Sequence, residues 1–376
     1  MSQMEKQTQS SEEISNAIEE QSFDEYIKMQ ERENNTLVSL CVIALNEEKN
    51  IGRLFDNILS QDYDHSMIEV VLVDSGSTDN TKTMMQEFAN ETKGYYDIKV
   101  LDNVGKIQPT GWNVAITNSL GELIIRVDAH AIIPNDFVSE NVNCIQSGES
   151  ICGGRRINII EGENFGKKVL LMAENSMFGS GVATYRSSNK KQYVKTVAHA
   201  CYKREVFENV GLFNEHLLRS EDNELHYRIR KGGYKICMSD RICSQYQTRA
   251  TLKGMLKQKY GNGKWIGITT MRLTPKIFSL YHFIPMLFVA VALACAVLFG
   301  ISFVPSVPWW LCLPFIIGVA VYLLLDLLLT LKSCKDYKEW RGIFVLPILF
   351  PLLHFAYGLG TIQGIIIGPF CLRRGK

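Results

Sequence analysis

ELIIRVDAHA, residues 122–131, decides the fold: an apolar run of strand length that ends abruptly in a carboxylate and, two residues on, an imidazole. Three upstream runs have the same build, LVSLCVIA (37–44), IEVVLVD (68–74) and IKVLDN (98–103). Each is almost continuously apolar, as strands buried on both faces of a parallel sheet must be. Between the first two, Asn46 can cap a helix over about 47–60 that places Ile51, Leu54, Phe55 and Ile58 on one face. After the second, SGSTD (75–79) supplies turn and capping residues before a helix over 81–91. Strand, polar turn and helix recur, so residues 37–250 read as an α/β domain with a mostly parallel sheet.

Composition narrows what this domain serves. The 376 residues have room for about two ordinary domains. Residues 1–36 carry three Lys/Arg against nine Asp/Glu and little that could form a core, so they read as an acidic, disordered tail. Residues 281–376 carry seven against three; from totals of 40 and 39, the middle keeps 30 against 27. No segment has the concentrated basic charge of a nucleic-acid binder, and nucleic acid is excluded as a partner. Ten cysteines at irregular spacing, with no C-x-x-C pair, read as reduced and mostly buried thiols. The polar N-terminus lacks the pattern of a signal peptide, which places the catalytic part in the cytoplasm.

Residues 251–280 hold Lys253, Lys257, Lys259, Lys264, Arg272 and Lys276 and no acidic residue, interleaved with Leu, Met, Tyr and Trp. This is the pattern of a basic interfacial segment. Spans of about 281–303 and 309–331 follow, each long enough for a bilayer core, with Asp326 their only charge. Lys/Arg flank both on one side, so the positive-inside rule puts the α/β domain on the cytoplasmic side of the plasma membrane. Residues 343–372 are apolar but broken by Pro347, Pro351, Gly358, Gly360, Gly364 and Gly368. A single outward span and a re-entrant hairpin fit this stretch equally well.

In an open α/β sheet ligands bind beyond the carboxyl ends of the strands. Asn46-Glu47, Asp74-Ser75 and Asp128 stand at such ends. Asp74 can hydrogen-bond a base or ribose hydroxyl, or only order its own turn. Asp128 and His130 alternate along an extended chain and share a direction, which suits a divalent cation bridging protein to phosphate. Glu221-Asp222, after Ser220, open a helix that ends at Gly232-Gly233; they can serve as a cap or present a general base.

Taken in order, N-E-E, V-D-S-G-S-T-D-N-T, D-A-H and S-E-D resemble family two of the nucleotide-sugar glycosyltransferases over residues 37–268, as do YKREVF (202–207) and VGLFNE (210–215). The resemblance implies a GT-A (Rossmann-like) fold and a nucleotide site at Asp74, with Asn46, Glu47 and Ser75 grouped around it. It further implies Mn or Mg held with the donor diphosphate by Asp128 and His130, and Asp222 as general base beside Glu221. His130 replaces the acid usual at the last position of that motif; imidazole suits Mn better than Mg. Such an enzyme inverts the anomeric centre in one displacement. FGSGVATYR (178–186) and TRATLKGMLKQKYGNGKW (248–265) resemble a membrane-anchored subgroup that includes succinoglycan-type exopolysaccharide glucosyltransferases. There Arg249, Gln258 and Lys264 are candidate contacts to the diphosphate or to an acceptor phosphate. The Q-x-x-R-W of processive synthases is absent.

The function this implies is transfer from a nucleotide-sugar, UDP-sugars being the expected class, to a lipid-linked saccharide at the membrane. Transfer directly to polyprenyl phosphate, and a non-catalytic scaffold of a polysaccharide assembly complex, are the alternatives.

Overall fold

The computed structural model describes residues 36–162, 164–179, 190–301, 308, 310 and 313–371. The acidic stretch 1–35, most of FGSGVATYR, the connection 302–307 and the basic residues at 373–376 lie outside these.

The α/β part begins β1 (Val38–Ala44), α1 (Ile51–Leu59), β2 (Ile68–Asp74), α2 (Thr81–Glu91), β3 (Asp97–Asp102), α3 (Gln108–Asn118), β4 (Leu123–Asp128). These four strands are parallel, in the order β3-β2-β1-β4. Their carboxyl ends are in register: Ala44 pairs with Asp74, Asp74 with Asp102, and Ile43 with Asp128. Every residue of β2 is buried, because α1 and α2 cover one face and α3 the other. The strand-end acids named above therefore share one edge of the sheet.

The remainder makes the sheet mixed. It comprises β5 (Ala131–Ile132), α4 (Phe137–Gln146), β6 (Ile151–Ile159), α5 (Phe165–Asn175), β7 (Gln192–Val194), β8 (Ala198–Lys203), α6 (Arg204–Val210), α7 (Glu221–Lys231) and β9 (Ile236–Gln247). β8 joins β4 and β6 antiparallel, β9 lies parallel to β6, and β5 and β7 pair antiparallel with β9. β6 and β9, ICGGRRINI and ICMSDRICSQYQ, do not read as buried strands because glycines and charges interrupt them. One glycine has a steric cause. The β6–β9 register shifts around Gly154, where an added Cβ would collide with the Ile242 carbonyl.

Beyond β9 run α8 (Leu252–Arg272), α9 (Ile284–Ile301), α10 (Leu313–Tyr337) and α11 (Leu346–Ile367). The last three are long and apolar enough to cross a membrane. α11 is one continuous helix with Pro351 inside it, so the hairpin expected as one option for residues 343–372 does not form. The segment read as basic and interfacial, 251–280, forms α8 over most of its length. It runs alongside the C-terminal half of α11, G-x-x-x-G against G-x-x-x-G. An added Cβ on Gly263 or Gly267 would strike the Tyr357 or Thr361 carbonyl; on Gly360 or Gly364, that of Tyr260 or Lys264. Arg272 Nε–H closes the contact by donating to the Gly368 carbonyl at 2.8 Å. The glycines that look like helix breakers are thus the surface on which two helices touch. Gly364→Val should lower stability by about 1–3 kcal/mol, the range for overpacking. A fall in melting temperature in detergent that is smaller for Gly364→Ala checks it; an unchanged melting temperature would contradict this packing.

Candidate active site

Along the edge where β1, β2 and β4 end, the first two loops are tied to each other. Asn46 sits at φ 56°, and its side-chain oxygen accepts from the Thr78 backbone at 2.8 Å. The Glu47 and Glu48 amides donate to Thr81 Oγ1 and Asp79 Oδ2. Asp74 is buried and accepts from the amides of Gly76 at 3.0 Å and Ser77 at 3.2 Å, while Ser75 Oγ accepts from Asn103 Nδ2. The Asp74 carboxylate thus orders its own turn; sequence alone left this role and nucleotide contact both open.

At the end of β4, Asp128 and His130 both line a cavity of about 1070 Å³. Each is held by a residue that spacing alone did not assign to it. His199 Nε2–H donates to Asp128 Oδ2 at 3.3 Å, and His199 Nδ1 lies 2.8 Å from Ser244 Oγ. Burial would raise the Asp128 carboxyl, but the His199 hydrogen bond and the charges of His199, His130 and Arg126 hold it well below the usual carboxylate range. His130 Nδ1–H donates to Glu47 Oε1 at 3.0 Å, and its ring meets Tyr246 edge-on at 5.1 Å. Burial disfavours charge on both partners, yet their hydrogen bond prevails, raising His130 and lowering Glu47 from their ordinary values. Glu47, expected at the nucleotide, is therefore bonded to the imidazole.

These residues fit a divalent cation of a particular kind. With Nδ1–H directed at a carboxylate, His130 has Nε2 as the nitrogen for a metal ion, which would displace any proton there, the arrangement by which carboxylates orient metal-binding histidines. Among the described residues no group of three His, Cys, Asp or Glu side chains could hold a metal ion. One oxygen and one nitrogen ligand do not cage a cation, but they suffice for one whose remaining positions are filled by substrate phosphate and water.

Glu221 and Asp222 open α7 and line the same cavity. A capping role alone does not explain the sequence here, since Ser220 makes no side-chain cap hydrogen bond and stands at φ 70°, a left-handed conformation uncommon for serine. Glu221 is 5% exposed; burial, with the Asp222 charge adding to it, pushes its carboxyl up to about 8. Asp222, whose side chain is 38% exposed, takes an ion pair from Arg126 Nη1 to its Oδ1 at 2.7 Å. Arg126 stands on β4 two residues before Asp128 and therefore on the same face.

The cavity also receives Arg249 and Gln258, whose Nε2 lies 3.4 Å from Tyr246 Oη. Lys264 does not line it: half-buried, its backbone packs against Gly360 and Gly364. Lys259, one turn away on α8, lines it instead and pairs with Glu174 at 2.8 Å. Arg219, bonded to Asn262 at 2.7 Å, is a further cavity cation that no motif marked. Past these polar groups the same cavity continues between the apolar helices, lined by Phe288 of α9, Tyr322 and Leu328 of α10, and Leu353 and His354 of α11.

Strand-end acids, a helix-start acid pair and this sheet order define a glycosyltransferase of the GT-A type. The chain belongs to glycosyl transferase family 2, whose model matches residues 39–211. It is 31% identical to the succinoglycan biosynthesis protein ExoA of Rhizobium meliloti over 234 residues, 60% of this chain and 68% of that one. It is 25% identical to the dolichyl N-acetyl-alpha-D-glucosaminyl phosphate 3-beta-D-2,3-diacetamido-2,3-dideoxy-beta-D-glucuronosyltransferase of Methanococcus voltae over 337 residues, 88% of this chain and 98% of that one. Among solved structures, the mannosyltransferase PcManGT from Pyrobaculum calidifontis, in complex with GDP-Man and Mn2+, shares the fold with a TM-score of 0.56 at 18% identity, over 85% of this chain and 87% of that one.

Proposed function

We propose that the chain transfers a sugar, with inversion, from a nucleotide-sugar to a lipid-linked acceptor at a membrane face, a UDP-sugar being the expected donor. The observation that carries this reading is the unbroken cavity with Asp128 and Asp222 at one end and Phe288, Tyr322 and Leu328 of the membrane-length helices at the other. A water-soluble acceptor has no use for the apolar half of such a cavity, whereas a lipid tail has. The Methanococcus voltae relative, named for transfer to a dolichyl-linked sugar, supports the same acceptor class.

In this reading the donor diphosphate lies near Asp128 and His130, which would hold Mn or Mg. A cation there supplies positive charge against the negative charge that develops on the leaving diphosphate. Asp222 takes the proton of the acceptor hydroxyl as the hydroxyl oxygen forms its bond to the anomeric carbon and the bond to the diphosphate breaks. Arg219, Arg249 and Lys259 line the same cavity and are the cations that would meet an acceptor's phosphate if its tail lies among the helices. The catalytic domain faces the cytoplasm, the side on which α10 ends with Lys332 and Lys335 and is followed by Arg341.

The test is transfer by the detergent-purified protein from a panel of UDP- and GDP-sugars, with Mn, to three acceptors: a polyprenyl diphosphate-linked saccharide, polyprenyl phosphate, and the same saccharide without lipid. Transfer to either lipid acceptor, and none to the free saccharide, is expected, and the preferred lipid separates the two acceptor chemistries. Equal transfer to the lipid-free saccharide would overturn the reading.

A further inference from the structure

Arg126 is a buried cation that no motif announces. It is 6% exposed, and its guanidinium carbon packs against two rings, 4.2 Å from the centre of Trp112 and 4.5 Å from that of Phe213. Both rings are fixed from elsewhere. Trp112 is fully buried on α3, and its neighbour Asn113 holds the Phe213 backbone from both sides, donating to the carbonyl at 3.0 Å and accepting from the amide at 2.9 Å. The clamp therefore has one geometry.

Burying a guanidinium is costly unless it is paired and hydrogen-bonded. Here Nε has no hydrogen-bond partner among the described residues, so the fold tolerates an orphaned buried donor on this side chain. Maximal stability would favour an apolar residue on this strand. What Arg126 does make is the contact from Nη1 to Asp222 Oδ1, across 96 residues of sequence. The two groups come from different elements, β4 and the start of α7. A planar guanidinium packed on the two rings presents Nη1 from a fixed direction, which a lysine ammonium on a flexible stem does not.

We propose that Arg126 is the positioning residue of sugar transfer: clamped between Trp112 and Phe213, it holds the Asp222 carboxylate by one oxygen and leaves the other for the acceptor hydroxyl. Arg126 touches neither donor nor acceptor in this scheme and acts only through Asp222. The inference rests on Asp222 being the general base.

The experiment is a double-mutant cycle in the full-length, detergent-purified protein. Arg126→Met should lower kcat about 100-fold, the scale of a misplaced catalytic group, with the donor KM and the calorimetric UDP affinity within about threefold of wild type. Arg126→Lys should recover only a small part, because charge on a flexible stem does not orient. In an Asp222→Asn background, measured over long incubations, Arg126→Met should cost less than about threefold more, since residues acting as a unit are not additive. If Arg126→Met does not accumulate as folded protein, Phe213→Leu loosens the same clamp and enters the same cycle. Equal losses in both backgrounds, a donor KM that rises as kcat falls, or an unchanged kcat would each overturn the proposal. Asp222→Asn alone separates the two layers: if it keeps wild-type turnover the base assignment fails, and if it is inactive while the cycle is additive only Arg126 loses its role.

Discussion

Asp222→Asn is expected to cut sugar transfer by about 10²–10⁴-fold, the range for a general base, while UDP affinity stays within about threefold. An asparagine oxygen can still accept from Arg126 Nη1, so the 2.7 Å contact that ties α7 to β4 has a replacement. What the amide cannot do at neutral pH is take the proton of a hydroxyl. The two quantities are read separately, turnover with a saturating lipid acceptor and UDP binding by calorimetry. A loss of UDP affinity that matches the loss of turnover would refute the assignment. Glu221 cannot substitute: burial pushes its carboxyl up to about 8, so at neutral pH it is largely protonated.

Asp128→Ala is expected to weaken Mn-dependent UDP binding about 100-fold or more, and to leave metal-free binding nearly unchanged. The reason lies in the small ligand set. Asp128 and His130 are the two candidate ligands at the end of β4, and among the described residues no group of three His, Cys, Asp or Glu could hold the ion in their place. Without Asp128, His199 also loses its partner at 3.3 Å, so Asp128→Asn, which keeps an acceptor there, separates the loss of charge from local rearrangement. If UDP binds Asp128→Ala as tightly as wild type with Mn present, the metal role is wrong.

How much of this could be read from sequence differs by element. β1, β2 and β4 are continuous apolar runs because helices cover both faces, and their terminal residues can be named directly. Helix α2 begins at Thr81 and α7 ends before Gly232, where capping chemistry places them. β6 and β9 escape that reading because their local patterns are broken, β9 by Asp240 and Arg241 and β6 by Arg155, Arg156 and two glycines, of which Gly154 is required only by the neighbouring strand. The same holds for Gly263, Gly360 and Gly364, which within one helix look like breakers and between two helices are the contact.

The amino-acid order alone determined the chemical inventory: five strand-end or helix-start acids, a basic segment and apolar helices of membrane length, all set by local periodicity and residue type. Only the tertiary structure decided which groups meet. It gave Glu47 to His130, His199 to Asp128 and Arg126 to Asp222, pairs separated by 83, 71 and 96 residues. It also turned Lys264 toward α11, left Lys259 lining the cavity, and joined the acids to the apolar helices in one space. Local pattern reports the secondary structure a segment favours and the face it buries. Partnership between distant side chains depends on strand order, register and crossing geometry, which no local pattern contains.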